Sequence, residues 1–132
     1  MPDKRAMGDR AVTPAGWIAV GLLGGAAAAA RFLIDEEFAA RSNGHFPHGI
    51  LAINVAGSLA LGLVAGLALQ GEALVVVAGG GIGSFTTFST WMFDSHRLAD
   101  AGHTRLVWLN LALSLVAGFA AVAFGHWLGG AL

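Results

Sequence analysis

Four apolar runs separated by short polar segments set the pattern of this chain: Trp17–Ile34, Ile50–Leu69, Ala73–Phe93 and Leu106–Leu128. Each comes close to or exceeds the roughly 20 residues that a helix needs to cross a bilayer core. Charge is nearly absent inside the runs, whereas a helix on a soluble domain turns a charged or polar face to water. The pattern predicts an all-α integral membrane protein, a single domain over 1–132 with spans at approximately 15–34, 48–70, 73–95 and 104–129. Asp35–Pro47 and Asp94–Thr104 read as longer polar connections, with room for an interfacial turn of helix at 35–41, and Gln70-Gly71-Glu72 as a tight one. Residues 1–14 are polar and read as frayed or interfacial. No small-residue cleavage site follows the first run, so it reads as a retained helix and not a signal peptide.

The third run departs from the others. Its centre is Gly79-Gly80-Gly81-Ile82-Gly83, followed by Ser84, Thr86, Thr87, Ser89 and Thr90. Each glycine costs about 1 kcal/mol against alanine in a helix interior. The hydroxyls offer the backbone competing hydrogen bonds. A broken helix is therefore expected at membrane depth. Lipid cannot satisfy the N–H and C=O groups so freed, and such a break persists only where it is buried in protein or lines a polar cavity. The break is the first candidate for a functional site.

Composition narrows the classes. Only 11% of the residues are charged, the formal net charge is -1, and cysteine is absent, which argues against nucleic acid and excludes disulfides and cysteine-ligated metals. The five histidines show no paired metal-ligand spacing within a span. Small residues recur four apart at Gly21 and Gly25, Gly62 and Gly66, and Gly125 and Gly129, a spacing that lets helices approach closely in lipid. Four spans put both termini on one side, with Lys4, Arg5 and Arg10; Arg41, Arg97 and Arg105 fall on the other. Orientation normally follows an excess of Lys and Arg on the cytoplasmic side. This balance leaves two readings open, a weak signal or insertion in both orientations.

Gly83-x-x-Thr86-Thr87-Phe88-Ser89-Thr90-Trp91 resembles the third-span signature of the Fluc (CrcB) fluoride channels. Asn54-Val55-Ala56-Gly57-Ser58, followed by Gly62, is similar to their second-span motif, and the Gly24–Ala30 run ending in Arg31-Phe32 to their first. The resemblance covers all four spans in order. Trp91 stands where the family usually has Phe, Ile50 where a Thr is common, and Gly118 where a hydroxyl is common. The resemblance implies an antiparallel, dual-topology homodimer in the cell inner membrane that conducts fluoride passively. It also implies a structural Na⁺ at the dimer interface, held by backbone carbonyls at Gly83 and Thr86.

The residues in those positions suit the chemistry. Fluoride is small, strongly hydrated and accepts hydrogen bonds, so a path needs neutral donors that bind it favourably but weakly. Asn54 offers an amide, and Ser89, Thr90 and Ser114 offer hydroxyls. Phe88 and Trp91 offer the positive edges of their rings. Each has a plainer role open to it: interhelical hydrogen bonding for Asn54, bonding back to its own helix for Ser114, packing for Phe88. Asn110 fits either role. Arg31 reads as a vestibule cation that attracts anions or as an interfacial anchor. A four-span proton-coupled exporter would want a carboxylate inside a span, and the acidic residues lie outside the apolar runs. A non-transporting assembly subunit explains the small-residue faces but not the broken third span. An enzyme is disfavoured, since no nucleophile–base–orienter set is visible.

Overall fold

The computed structural model describes residues 11–132; Lys4, Arg5 and Arg10, half of the cationic balance read from the sequence, lie outside the described residues. Among those described, all regular structure is helical, and four helices are long and apolar enough to span a membrane.

Helix α1 (Pro14–Arg41) starts where Thr13 accepts the Gly16 N–H at 3.0 Å and proline occupies the first turn. It runs straight through the polar Asp35–Arg41 segment, so the turn of helix expected there is a continuation of the first span. Arg41 pairs with Glu37 one turn back, in the last turn where a cation suits the helix dipole. Helix α2 (His48–Gly66) begins after Pro47, whose ring cannot extend a helix backward. Both tight turns close as Schellman motifs. After Asp100 the left-handed residue is Gly102 (φ 78°), with His103 N–H bonded to the Leu98 carbonyl. After Gly66 it is Ala68 (φ 53°), with Leu69 N–H bonded to the Val64 carbonyl. An alanine there carries the Cβ strain that glycine avoids.

The third span is composite: α3 (Gly71–Leu74), a π-helical stretch (Val75–Ile82), α4 (Gly83–Phe85), an extended pair Thr86-Thr87, and α5 (Phe88–Asp100). The break expected within Gly79–Trp91 falls at the two threonines; the glycine run before it stays helical and winds as a wider helix. The reason lies in α1. A Cβ on Gly80 would stand 3.0 Å from the Val20 Cα and 3.1 Å from its carbonyl, and one on Gly24 would stand 3.2 Å from the Gly80 carbonyl. Bare backbone lets the two helices meet, and that packing holds the segment helical against its poor propensity.

Helix α6 (Thr104–Ala131) packs along α2 through four glycines. A Cβ on Gly62 would overlap the Val122 carbonyl, one on Gly66 the His126 carbonyl, one on Gly125 the Leu59 carbonyl and one on Gly129 the Leu63 carbonyl. Two of the three small-residue pairs thus do what their spacing promised. Gly21 and Gly25 do not: nothing lies within 4 Å of a Cβ at either, and Gly24 makes the contact on α1. The interior is thin, with Ile50, Ile53, Val64 and Leu98 as its buried hydrophobic side chains. Large apolar groups face outward, as on Phe119, which is 75% exposed. That inversion suits a hydrocarbon solvent and not water.

Candidate ion pathway

The break organises the site. Thr86 (φ -79°, ψ 159°) and Thr87 (φ -148°, ψ 126°) are extended, so the helix ladder is interrupted on both sides of them. Asn54 on α2 repairs the gap. Its Nδ2 donates to the Thr87 carbonyl at 2.9 Å, and its Oδ1 accepts the Thr87 N–H at 2.9 Å. One amide side chain thereby satisfies both backbone groups of the residue at the break, as the hydrocarbon setting demands. Thr87 also caps α5: its Oγ1 accepts the Thr90 N–H at 3.3 Å and donates to the Thr90 hydroxyl at 3.1 Å, with the Ser89 hydroxyl 3.4 Å away. Thr86 turns its hydroxyl back to the Ile82 carbonyl at 3.1 Å, and its methyl lies against Gly57, where a Cβ would overlap it. Asn54 and Gly57, three residues apart on one face of α2, form the seat for the break.

An open groove of about 260 Å³ runs past this seat, lined by Asn54, Ser58, Thr87, Phe88 and Trp91 among others. Phe88 and Trp91 meet edge to face, with ring centroids 5.7 Å apart and planes at 72°. Phe88 is 70% exposed. Its ring is therefore displayed on the outer side of the groove and is not packed in the interior of its own chain. Beyond Trp91 and nearer the end of α5, a second cavity of about 360 Å³ is lined by Asp35, His45, His48, Asp94, Arg97 and His103 among others. The His45 and His103 rings lie 4.4 Å apart there, and Arg97 Nη1 stands 3.9 Å from Asp94 Oδ1.

Between groove and cavity lies a small polar layer joining α5 and α6. Ser95 Oγ donates to the Trp91 carbonyl at 2.9 Å, and Asn110 Nδ2 donates to Ser95 Oγ at 3.0 Å. Asn110 is fully buried. Asn110 Oδ1 is buried without a partner among the described residues, as are Trp91 Nε1, one turn before Ser95, and Ser114 Oγ, one turn after Asn110.

Of the residues singled out in the sequence, the structure places Asn54, Phe88 and Trp91 on the groove's lining and Ser89 and Thr90 beside the Thr87 hydroxyl at the start of α5; Ser114 lies on α6, one turn after Asn110. Arg31 stands apart from these. It lies on α1, lines neither the groove nor the cavity, and its Nε is buried without a partner among the described residues. At the Na⁺ positions, the Thr87 amide that a continuing helix would give to the Gly83 carbonyl is diverted to Asn54. The carbonyl ends of α4 are left at a helix C-terminus, where the dipole is negative. Two residues escaped the sequence reading. Thr87 has a signal, a hydroxyl residue immediately before an amphipathic helix. Ser95 has none, because it sits in Asp94–Thr104, which reads as a polar connection in the sequence but continues the helix as far as Asp100.

Residues 18–126 match the family described as CrcB-like protein, Camphor Resistance (CrcB). The chain belongs to this family. Similar proteins include "Fluoride-specific ion channel FluC 2" of Mycobacterium tuberculosis (strain ATCC 25618 / H37Rv), 41% identical over 118 residues, covering 89% of this chain and 94% of that protein. "Fluoride-specific ion channel FluC 1" of Symbiobacterium thermophilum is 43% identical over 122 residues, covering 88% and 95%. "Fluoride-specific ion channel FluC 1" of Leifsonia xyli subsp. xyli is 39% identical over 123 residues, covering 90% of each. The CrcB match contains the π-helical stretch, the threonine break, its Asn54 seat and the α5–α6 layer, so the site described above lies wholly inside the family region.

Proposed function

We propose that this protein is a passive, fluoride-selective anion channel of the cell inner membrane that lowers cytoplasmic fluoride. The observation that supports it most is the broken third span seated on Asn54, which puts an amide, hydroxyls and two aromatic edges along one groove with no fixed cation in its lining. Such a lining replaces hydration water by neutral donors and does not trap the ion. The second hydrogen on Asn54 Nδ2 remains for the anion after the Thr87 bond is made. The Ser89 and Thr90 hydroxyls stand at the start of α5. The ring edges of Phe88 and Trp91 carry the positive part of the aromatic quadrupole. Ser114 adds a hydroxyl on α6. Neutral HF that has crossed the membrane ionises at cytoplasmic pH, and the anion leaves down its gradient without ATP. Arg31, off the groove, serves as a long-range attractor of anions to the vestibule.

The open groove and the outward ring of Phe88 call for a cover, and we assign it to a second copy in antiparallel orientation. Reporter tags at the C-terminus should then appear on both sides of the membrane; appearance on one side only would retire the dual topology. The backbone carbonyls of Gly83 and Thr86 suit a hard cation, and a Na⁺ shared with the partner on the two-fold axis would neutralise the helix end there. Its role would be to fix the break and not to carry fluoride.

The channel reading is tested in liposomes with a fluoride electrode. The purified protein should release fluoride far faster than chloride, and replacing Na⁺ on both sides by a large organic cation should lower the rate. Phe88→Ile keeps an apolar side chain but removes the ring edge, and flux is expected to fall at least tenfold while the protein elutes as before. That tenfold corresponds to about 1.4 kcal/mol, within the range of aromatic contacts. Unselective leak or equal flux in the variant would count against the reading.

A further inference from the structure

We infer that Gly57 is a positioning residue: its bare Cα receives the Thr86 methyl and so fixes the peptide plane that carries the Thr86 carbonyl. This rests on the reading of a cation at the break and deepens it by naming the α2 residue that aims one of its ligands.

The peptide between Thr86 and Thr87 is the pivot of the break, since both residues are extended between two helical pieces. Its N–H donates to Asn54 Oδ1. The bond is trans, so its C=O points the opposite way, off the α2 seat. Asn54 thus holds the Thr87 side of the plane. The Thr86 side is held by the Thr86 side chain. Its hydroxyl donates to the Ile82 carbonyl at 3.1 Å, and its methyl lies in the hollow over Gly57. A β-branched side chain is stiff at χ1, and one anchored at both γ positions has a single setting left. The backbone that bears it is then fixed against α2 as well. Asn54 and Gly57 grip successive residues, and the plane between them cannot swing.

One methyl group accounts for the whole conflict that a side chain at residue 57 would create. A Cβ there would overlap the Thr86 methyl, while the next neighbours, Thr86 Cβ at 3.6 Å and Phe85 Cδ1 at 3.7 Å, stand at ordinary contact distance. Thr86 does not escape by rotating. Turning χ1 takes the hydroxyl from the Ile82 carbonyl and leaves it unpaired at membrane depth, whereas that carbonyl keeps the Thr86 N–H at 3.0 Å. The backbone at Thr86 yields instead, and the direction of its carbonyl changes with it. Metal–ligand distances are held to within about 0.2 Å, so a swing of this plane reads out as lost cation affinity. Gly57 differs here from Gly62 and Gly66 on the same helix. Those meet backbone carbonyls of α6, which no substitution removes. Gly57 meets a side chain, so taking one carbon from residue 86 makes the room.

The test moves that carbon across the contact. Gly57→Ala adds a methyl, Thr86→Ser removes one and keeps the hydroxyl, and the double variant does both. Each purified protein gives two readouts: fluoride release from liposomes per folded protein, and the melting temperature in detergent as Na⁺ replaces N-methylglucamine at constant ionic strength. A cation that binds the folded state raises the melting temperature saturably. Gly57→Ala is expected to lower flux about tenfold, the scale of an overpacked contact, and to raise the Na⁺ midpoint by a similar factor. The double variant should return both readouts to those of Thr86→Ser alone. A glycine that only packs would lower the melting temperature at every Na⁺ concentration and leave the midpoint in place; that result, in a parent that responds to Na⁺, would overturn the inference. So would parent-like flux in Gly57→Ala, or a double variant no better than Gly57→Ala. Should Gly57→Ala fail to fold, a double variant that folds and conducts supports the inference, and one that also fails overturns it. A parent whose melting ignores Na⁺ would retire the cation reading by itself. Rescue of flux in the double variant would then still mark Gly57 as the residue that positions the break, and no rescue would retire both.

Discussion

Gly62→Val is expected to leave almost no correctly folded protein in a detergent extract. The reason is backbone, not side chain. A Cβ at Gly62 would overlap the carbonyl oxygen of Val122, and its α carbon would lie only 2.9 Å away. A side chain that collides can change rotamer, but a helix backbone can only move as a unit. Separating α2 from α6 at this level also undoes the neighbouring contacts of Gly66, Gly125 and Gly129, since all four face one seam. Overpacking a core costs about 1–3 kcal/mol where neighbours can adjust, and more where they cannot. In lipid the seam has no hydrophobic effect in reserve, because close packing is itself the driving force. Gly21→Ala supplies the contrast. Nothing lies within 4 Å of a Cβ at Gly21, and alanine gains about 1 kcal/mol of helix propensity there. Size-exclusion yield of the two variants against the parent decides the matter. Parent-like yield of Gly62→Val would mean that α2 and α6 do not meet through backbone.

The spans were legible because lipid imposes a simple rule: about 20 apolar residues in a row, with charge at the ends. Their boundaries were less so. Helix α1 passes through Asp35, Glu36 and Glu37, because helix formation depends on the backbone and not on whether the solvent outside is lipid or water. The break fell within the stretch expected, at the threonines and not in the glycine run. Propensity counts each glycine against a helix, yet Gly80 and Gly24 let α1 and the third span touch, and packing overrode propensity. The same spacing argument that picked out Gly62 and Gly125 also picked out Gly21 and Gly25, which face outward. Spacing gives a stripe; it does not say which stripe has a partner.

At the site, residue types were readable and their bonds were not. An asparagine inside an apolar span invites a polar role, but the sequence offered no means of seeing that Asn54 spans 33 residues to hold both backbone groups of Thr87. Ser95 lay in a stretch that reads as a polar connection and gave no sign of being buried against Asn110. The orphaned atoms of α5 and α6 could not be foreseen either, since an unmet hydrogen bond is a property of a finished fold. Arg31 lies off both groove and cavity, a place that fits a distant attractor of anions as well as an interfacial anchor.

Those bonds sharpen what Asn54→Asp should do. The change is nearly isosteric, and the oxygen that accepts the Thr87 N–H is retained. The Nδ2 that donates to the Thr87 carbonyl becomes a second oxygen, so two acceptors face each other where a hydrogen bond stood. Ionised, the carboxylate also repels the permeating anion. A pair of unit charges 4 Å apart interacts by about 4 kcal/mol at an effective dielectric near 20. A third of that already matches the 1.4 kcal/mol, or so, that changes an equilibrium tenfold. Fluoride flux at neutral pH is therefore expected to fall by at least two orders of magnitude, by the same arithmetic. Taking up a proton offers a way out. A neutral carboxyl has one O–H, and the Thr87 carbonyl lies in place to receive it. The break is then restored, but no hydrogen is left for the anion, whereas the amide had one to spare. Acidification should consequently bring back the elution profile of the parent while flux recovers only in part. If Asn54 serves the break alone, flux and elution should recover together and completely on acidification. Chromatography and electrode traces taken from one preparation across a pH series separate the two outcomes.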